Sequence, residues 1–108
     1  MSGFLGSLQA IQTAAYAATV DVDPNLGEYV VLGPLTGAIT ITAANGRQIG
    51  KRLTFDMTQD GTGGRVVTWD AIFKAGAFSP NTAAGKRNVV SFLFDGTNYV
   101  MQYQAAGV

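Results

Sequence analysis

Two carboxylates, Asp56 and Asp60, are the first residues to test for chemistry, because they stand four positions apart in the chain. A glycosidase uses two carboxylates that face each other across a sugar cleft, one of them with a pKa raised by burial. Asp60, however, begins a glycine-rich turn, where an aspartate usually accepts hydrogen bonds from its own backbone. The pair therefore does not indicate a glycosidase.

The glycine-rich segment 61–64 is a second candidate, because glycine-rich loops can cradle phosphate groups. A phosphate-binding loop requires Gly-Lys, then Ser or Thr, and then a helix, whereas Arg65 here leads into a β-branched run. The glycines are better explained as turn residues with positive φ. The chain has no histidine to activate Ser79 or Ser91 as a nucleophile. We expect no catalytic residues, no cofactor and a protein that is not an enzyme.

Spaced acidic residues in the loop 21–27 suggest a calcium site. An EF-hand loop places glycine at its sixth position and glutamate at its twelfth, but Leu26 and Leu32 occupy those positions here. The chain also contains no histidine and no cysteine, so imidazole and thiolate ligands and disulfides are excluded. We predict no metal site.

Low charge is the most unusual property of the composition. Charged residues make up 13% of the chain, about half of the usual share. Seven cations balance seven anions, so the net charge is zero. Solvent-exposed surfaces normally carry charges of both signs with a net excess of one, and we therefore expect other subunits to cover much of this surface. Nucleic acid is not an expected partner, because binding it requires a basic excess.

The elements that hold these residues have the pattern of strands. Leu53, Phe55 and Met57 alternate with polar residues, as in a strand with one buried face. The glycine turn and a β-branched run ending in Trp69 follow, which predicts a β-hairpin. Further strands are predicted in the second half of 13–20 and at 28–32, 37–42, 71–74, 86–94 and 98–104. Their spacing, with turns such as Asp95-Gly96, predicts an all-β fold: an antiparallel β-sandwich of jelly-roll type with seven to eight short strands.

The first twenty residues carry no charge and predict a short N-terminal arm. We expect the arm to span residues 1–12 and a single β-sandwich domain to span 13–108. Large apolar residues are poorly suited to bare water, and those of the arm are the expected partner-binding residues: Phe4, Leu5, Leu8 and Ile11. A frayed terminus is the alternative. The segment lacks the basic start of a secretion signal, and polar residues interrupt it too often for a membrane span.

The segment 59–69, which reads Gln-Asp-Gly-Thr-Gly-Gly-Arg-Val-Val-Thr-Trp, is similar to a pattern common in tailed-phage virion proteins. The likeness extends over about residues 15–104 and includes the segments 35–41 and 86–99. The resemblance implies a small jelly-roll module, typically trimeric, on a capsid surface or at the end of a fibre. It carries no catalytic residues to this chain.

Two functions follow from the resemblance. Only about a dozen residues precede the module, so we expect a capsid decoration (cement) protein that binds and stabilises the outer surface of the head shell. Its expected partners are further copies of itself, as a homo-oligomer and specifically a trimer, and the major capsid protein, without nucleic acid or membrane. It would be made in the host cytoplasm and reside on the virion capsid surface.

The alternative is a tail-fibre or tail-tip receptor-binding module that contacts a host surface glycan or protein. The loop 70–85 would then form the contact, and Phe73 and Phe78 are the candidate contact residues. A lectin-like domain from another context is a third possibility, because sugars stack on aromatic rings.

Overall fold

The computed structural model describes residues 11–108, and the arm candidates Phe4, Leu5 and Leu8 lie outside the described residues. Within this range the chain forms strands and no helix, which confirms the all-β prediction. Its nine strands are β1 (Ile11–Ala14), β2 (Thr19–Asp21), β3 (Tyr29–Leu35), β4 (Ile39–Thr42), β5 (Arg52–Gln59), β6 (Val67–Trp69), β7 (Phe73–Lys74), β8 (Arg87–Phe94) and β9 (Tyr99–Ala106).

The first six strands alternate between two sheets. Strands β1, β3 and β5 are parallel neighbours in a six-stranded sheet, and β2, β4 and β6 are parallel neighbours in a three-stranded sheet. Each connection between parallel neighbours therefore passes through the other sheet, which satisfies the need of a parallel pair for a long crossover. The chain winds through three stacked coils, in a solenoid-like arrangement.

The residue pattern of the three-stranded sheet repeats from coil to coil. Thr40 lies opposite Thr68 in the next coil, and Ile41 lies opposite Trp69. The first coil adds a threonine and a valine in the same two rows. Because successive side chains of a strand point to opposite faces, the threonines form the outer row and the apolar residues form the inner row.

The last three strands enlarge the six-stranded sheet. Strand β8 is antiparallel to β5, and β9 is antiparallel to β8 and parallel to β7, which gives the order β1-β3-β5-β8-β9-β7. The hairpin predicted at Asp95-Gly96 is confirmed: it joins β8 to β9, and the Asp95 N–H donates to the Asn98 carbonyl at 2.9 Å.

The predicted antiparallel jelly-roll sandwich is not confirmed, because five of the seven strand pairings in residues 11–108 are parallel. The hairpin predicted across segment 51–69 is wrong. Strand β5 pairs with β3 and β8, whereas β6 pairs with β4 in the other sheet. The turn 60–66 carries the chain from one sheet to the other. Alternation identified the buried face of β5 correctly, but it contained no information on which strands lie beside it.

The hydrophobic core lies between the two sheets. Inward side chains of β5 and β8 are almost fully buried, at 7% exposure or less. The Phe55 ring meets the Trp69 and Phe92 rings edge to face, at centroid distances of 5.1 and 6.0 Å. Each fully buried side chain of this size contributes about 1.5–3 kcal/mol, so this cluster is a main source of stability.

Candidate functional site

The aromatic residues predicted as surface contacts lie against the core. Phe73 is in strand β7 and only 5% exposed. Its ring stacks on the Tyr99 ring at 5.1 Å, so it offers no free face to a ligand. Phe78 is half-buried, and its ring meets Trp69 edge to face at 5.5 Å. The pairing of β7 with β9 draws Phe73 inward, and this pairing is not apparent from the sequence.

Ile11 is the one arm candidate within the described residues. It begins strand β1, opposite Tyr29 of β3, and is 65% exposed. Its side chain is therefore held on the edge strand of the six-stranded sheet. It is available to a partner there.

Two loops meet at one end of the sheets. Loop 60–66 follows β5, and loop 75–86 precedes β8; we refer to these two loops together as the loop end. The Gly64 N–H donates to the Thr82 carbonyl at 2.7 Å, and the Gly85 N–H donates to the Asp60 carbonyl at 2.9 Å. Gly63 has a φ of +74°, and a Cβ there would lie 2.6 Å from the Ala84 nitrogen. The contact between the loops therefore requires glycine at this position.

The carboxylate of Asp60 organises loop 60–66. It accepts hydrogen bonds from the Gly63 N–H at 2.9 Å and the Thr62 N–H at 3.1 Å, and from the Arg65 guanidinium at 2.8 Å. Arg65 first, and then these backbone N–H groups, lower the pKa of Asp60 to about 2. The predicted role of Asp60 in binding its own backbone is confirmed.

Two buried amide side chains fix both loops to the sheet, and each residue is only 3% exposed. Gln59 donates to the Arg65 carbonyl and accepts from the Arg65 N–H, both at 3.0 Å. Asn88 donates to the Asn81 carbonyl at 2.9 Å, and its oxygen accepts from the N–H groups of Asn81 at 2.8 Å and Gly107 at 3.1 Å. Neither residue was predicted from the sequence, although each is a polar residue at an inward position of an alternating apolar strand.

The loop end therefore combines a fixed backbone with exposed polar side chains. Thr62, Ser79 and Asn81 are exposed. Because the loops are already ordered, they would lose little conformational entropy when a ligand binds. Binding residues are often found on loops positioned by a rigid scaffold.

A second polar group lies on the outer side of the six-stranded sheet. The Arg87 guanidinium donates to both oxygens of Asp56, at 2.8 and 2.9 Å, and the Tyr29 hydroxyl donates to the same carboxylate at 2.7 Å. The hydrogen bonds from Arg87 are the main reason that the pKa of Asp56 is lowered. The hydrogen bond to Asp56 is the main reason that the pKa of Tyr29 is raised. Asp56 and Asp60 thus bind separate arginines and do not form a glycosidase pair.

The acids of loop 21–27 also have structural partners. Asp21 accepts from the Thr42 hydroxyl at 2.6 Å and the Ala44 N–H at 3.0 Å, and Asp23 accepts from the Asn25 N–H at 2.9 Å. In residues 11–108 there is no group of three side chains placed to hold a metal ion, and no pocket. The same range contains no helix that is long and apolar enough to cross a membrane.

Comparison with known families gives a match over most of the chain. Residues 10–99 match the model of a family described as "Putative phage tail fibre C-terminal domain". No curated protein matches the chain. The match shows that the chain is a structural protein of the bacteriophage virion. More particularly, it belongs to this tail fibre C-terminal domain family, because the match covers most of its length. The match favours the tail-fibre alternative over the capsid decoration protein that we expected first.

Proposed function

We propose that the chain is the receptor-binding module of a phage tail fibre and that its loop end contacts a glycan on the host surface. The family match supports a position in the tail fibre. Loops 60–66 and 75–86 are hydrogen-bonded to each other and form one ordered unit. This observation is the reason for choosing the loop end as the contact surface.

The chemistry of the loop end suits a neutral sugar. Its exposed side chains include the hydroxyls of Thr62 and Ser79 and the amide of Asn81, groups that both donate and accept hydrogen bonds. The charges of Asp60 and Arg65 neutralise each other in an ion pair of 2.8 Å. An uncharged glycan would therefore meet matching hydrogen-bonding groups, and among the described residues the exposed Lys86 is the one charge of the loop end outside an ion pair.

The test is a competition experiment with the free protein, which should block phage adsorption to host cells. The Thr62→Arg variant places a bulky cation on the loop end. Thr97→Arg is its matched control: both threonines are exposed, and each N–H donates to the aspartate two positions earlier, at 3.1 Å for Thr62 and 2.9 Å for Thr97. Thr97 lies in the turn between β8 and β9, at the opposite end of the strands.

We expect Thr62→Arg to abolish blocking and Thr97→Arg to block as the wild type does. Equal blocking by both variants contradicts a contact at the loop end, and loss in Thr97→Arg alone places the contact at the opposite end. Periodate oxidation of the host surface separates a glycan receptor from a protein receptor. If labelled protein instead decorates fibre-free heads and leaves adsorption unchanged, the capsid decoration function is correct.

A further inference from the structure

Turn 43–46 contains the single Asn-Gly pair of the chain, Asn45-Gly46. The turn follows β4 and lies at the end of the strands opposite the loop end, because β4 is parallel to β6, which begins after loop 60–66. Asparagine before glycine can close a five-membered ring on the main chain, since glycine has no Cβ to hinder the approach of its nitrogen. Asn45 is exposed. The turn therefore presents a reactive pair to water.

The groups that would react have no hydrogen bonds to break within residues 11–108. The neighbouring Ala44 N–H donates to the Asp21 carboxylate at 3.0 Å. Neither the Asn45 side chain nor the Gly46 N–H takes part in a hydrogen bond in this range. The Gly46 nitrogen can therefore reach the Asn45 side-chain carbon by rotation of the main chain alone.

The packing of turn 43–46 requires the glycine of this pair. Gly46 has a φ of +73°. A Cβ there would collide with a carboxylate oxygen of Asp23 and would lie 2.9 Å from the Pro24 ring. Another residue would be strained in this conformation and would not fit against loop 21–27. The fold thus retains, after Asn45, the residue that leaves the pair reactive.

The remaining asparagines lack one or more of these features. Asn25 is exposed in the adjacent loop, but the N–H of the next residue, Leu26, donates to the Asp23 carbonyl at 2.9 Å. A leucine side chain also hinders the ring closure that glycine permits. The other three precede β-branched or aromatic residues: Asn81, Asn88 and Asn98.

Two aspartates also precede glycine, but hydrogen bonds hold both carboxylates in their turns. Asp60 is bound by Arg65 and two N–H groups, and Asp95 accepts from two N–H groups of its own turn at 2.9 and 2.8 Å. These bonds stabilise the charged form and keep the pKa of each aspartate below its ordinary value. A carboxylate anion is a much weaker electrophile than an amide. Asn45 is therefore the position expected to react.

We propose that Asn45 is a site of covalent modification, at which the side-chain amide is lost through a succinimide. The Gly46 nitrogen forms a bond to Asn45 Cγ and gives its proton to water. The bond from Cγ to the amide nitrogen breaks, and ammonia leaves with a proton from water. A second water then opens the ring at either carbonyl, so that residue 45 becomes aspartate or isoaspartate. Water is the only co-reactant, and nothing is oxidised or reduced.

The product places a new carboxylate beside two others. Asp21 is bonded to the Ala44 N–H at 3.0 Å, and Asp23 lies against Gly46. Like charges at this spacing repel each other. Isoaspartate also lengthens the main chain by one carbon, which displaces Gly46 from Asp23. The modification therefore loosens the end opposite the loop end, and it does not depend on the proposed receptor contact.

The experiment follows the wild type in mildly alkaline buffer. Anion-exchange chromatography separates the product by its added charge, and fragmentation of its peptides in a mass spectrometer locates the change. Isoaspartyl methyltransferase labels the isoaspartate. Asn45→Gln is the test variant, because glutamine has to close a larger ring, which forms far more slowly. Asn25→Gln is its matched control, since both asparagines are exposed in connections at the same end of the strands.

We expect the product at residue 45, at equal rates in the wild type and Asn25→Gln, and none in Asn45→Gln. The wild type unfolded in urea gives the rate of the pair without the fold. Because an exposed turn opens at little cost in free energy, the folded chain should react within about tenfold of that rate, a difference of about 1.4 kcal/mol in the barrier at most.

Three results would overturn the proposal. The first is a folded chain that reacts more than about tenfold more slowly than the unfolded chain. The second is another asparagine that reacts before Asn45, and the third is the same product in Asn45→Gln. The isolated isoaspartate form should also unfold at a lower urea concentration than the wild type, and an equal midpoint would contradict the loosening of the turn.

Discussion

Replacing Asn88 with alanine should destabilise the protein far more than an asparagine-to-alanine change on the surface. Asn88 is 3% exposed, and its side chain makes three hydrogen bonds of 2.8 to 3.1 Å with the backbone of Asn81 and Gly107. These bonds attach loop 75–86 and the end of β9 to the start of β8. The substitution removes all three at once.

The expected loss follows from the number of bonds. A hydrogen bond contributes about 0.5–1.5 kcal/mol net, so three contribute about 3 kcal/mol in total. Water can reach part of the site, because Asn81 is exposed, and this places the expected loss at about 2–4 kcal/mol. A domain of this size has a free energy of unfolding of about 5–15 kcal/mol, so the variant should fold but unfold at clearly lower urea concentration.

Urea unfolding followed by fluorescence measures this loss directly, because Trp69 is the single tryptophan and packs against the core. Asn45→Ala, in an exposed turn, is the matched control, and all proteins are compared at one concentration because association adds to stability. If Asn88→Ala and Asn45→Ala differ by less than about 0.5 kcal/mol, the buried amide does not hold the loop as argued.

Three further predictions concern the loop end and the core. Because the pKa of Asp60 is lowered to about 2 from an ordinary 3.8, its contribution to stability is complete above pH 3.8 and is lost as the pH falls through about 2. Urea midpoints measured against pH should therefore show that Asp60→Asn loses less stability in acid than the wild type does. An equal loss of stability in acid would refute the role of the ion pair. Gly63→Ala should lower the free energy of unfolding by at least about 1–3 kcal/mol, because the added Cβ would meet the Ala84 nitrogen at 2.6 Å. Gly61→Ala is the control: a Cβ there would meet nothing within 4 Å, so its free energy of unfolding in the same urea assay should be nearly unchanged. Phe73→Ala should lower the unfolding free energy by about 3–5 kcal/mol, as expected for a buried ring, and a loss below about 1 kcal/mol would show that Phe73 is a surface residue.

Local pattern in the sequence was enough to identify most of the strands and the buried face of β5, but it did not identify β1, whose first residue Ile11 was assigned to the N-terminal arm. The alternation of Leu53, Phe55 and Met57 depends only on the two-residue repeat of an extended backbone, and all three are buried. The hairpin at Asp95-Gly96 was predictable because a favoured two-residue turn leaves the flanking strands little choice but to pair. The capping role of Asp60 was also predictable, because its hydrogen-bonding partners lie within five residues of it in the chain.

Only the tertiary structure decided which strands are neighbours. A connection such as 60–66 can close a hairpin or lead to another sheet, and the choice depends on how distant segments pack and not on the residues of the turn. The same holds for Phe73, which is buried because β7 pairs with β9, and for Gln59 and Asn88, whose hydrogen-bonding partners lie on loops. Side-chain alternation is a property of one strand, whereas strand order and the surface left for a receptor are properties of the whole chain.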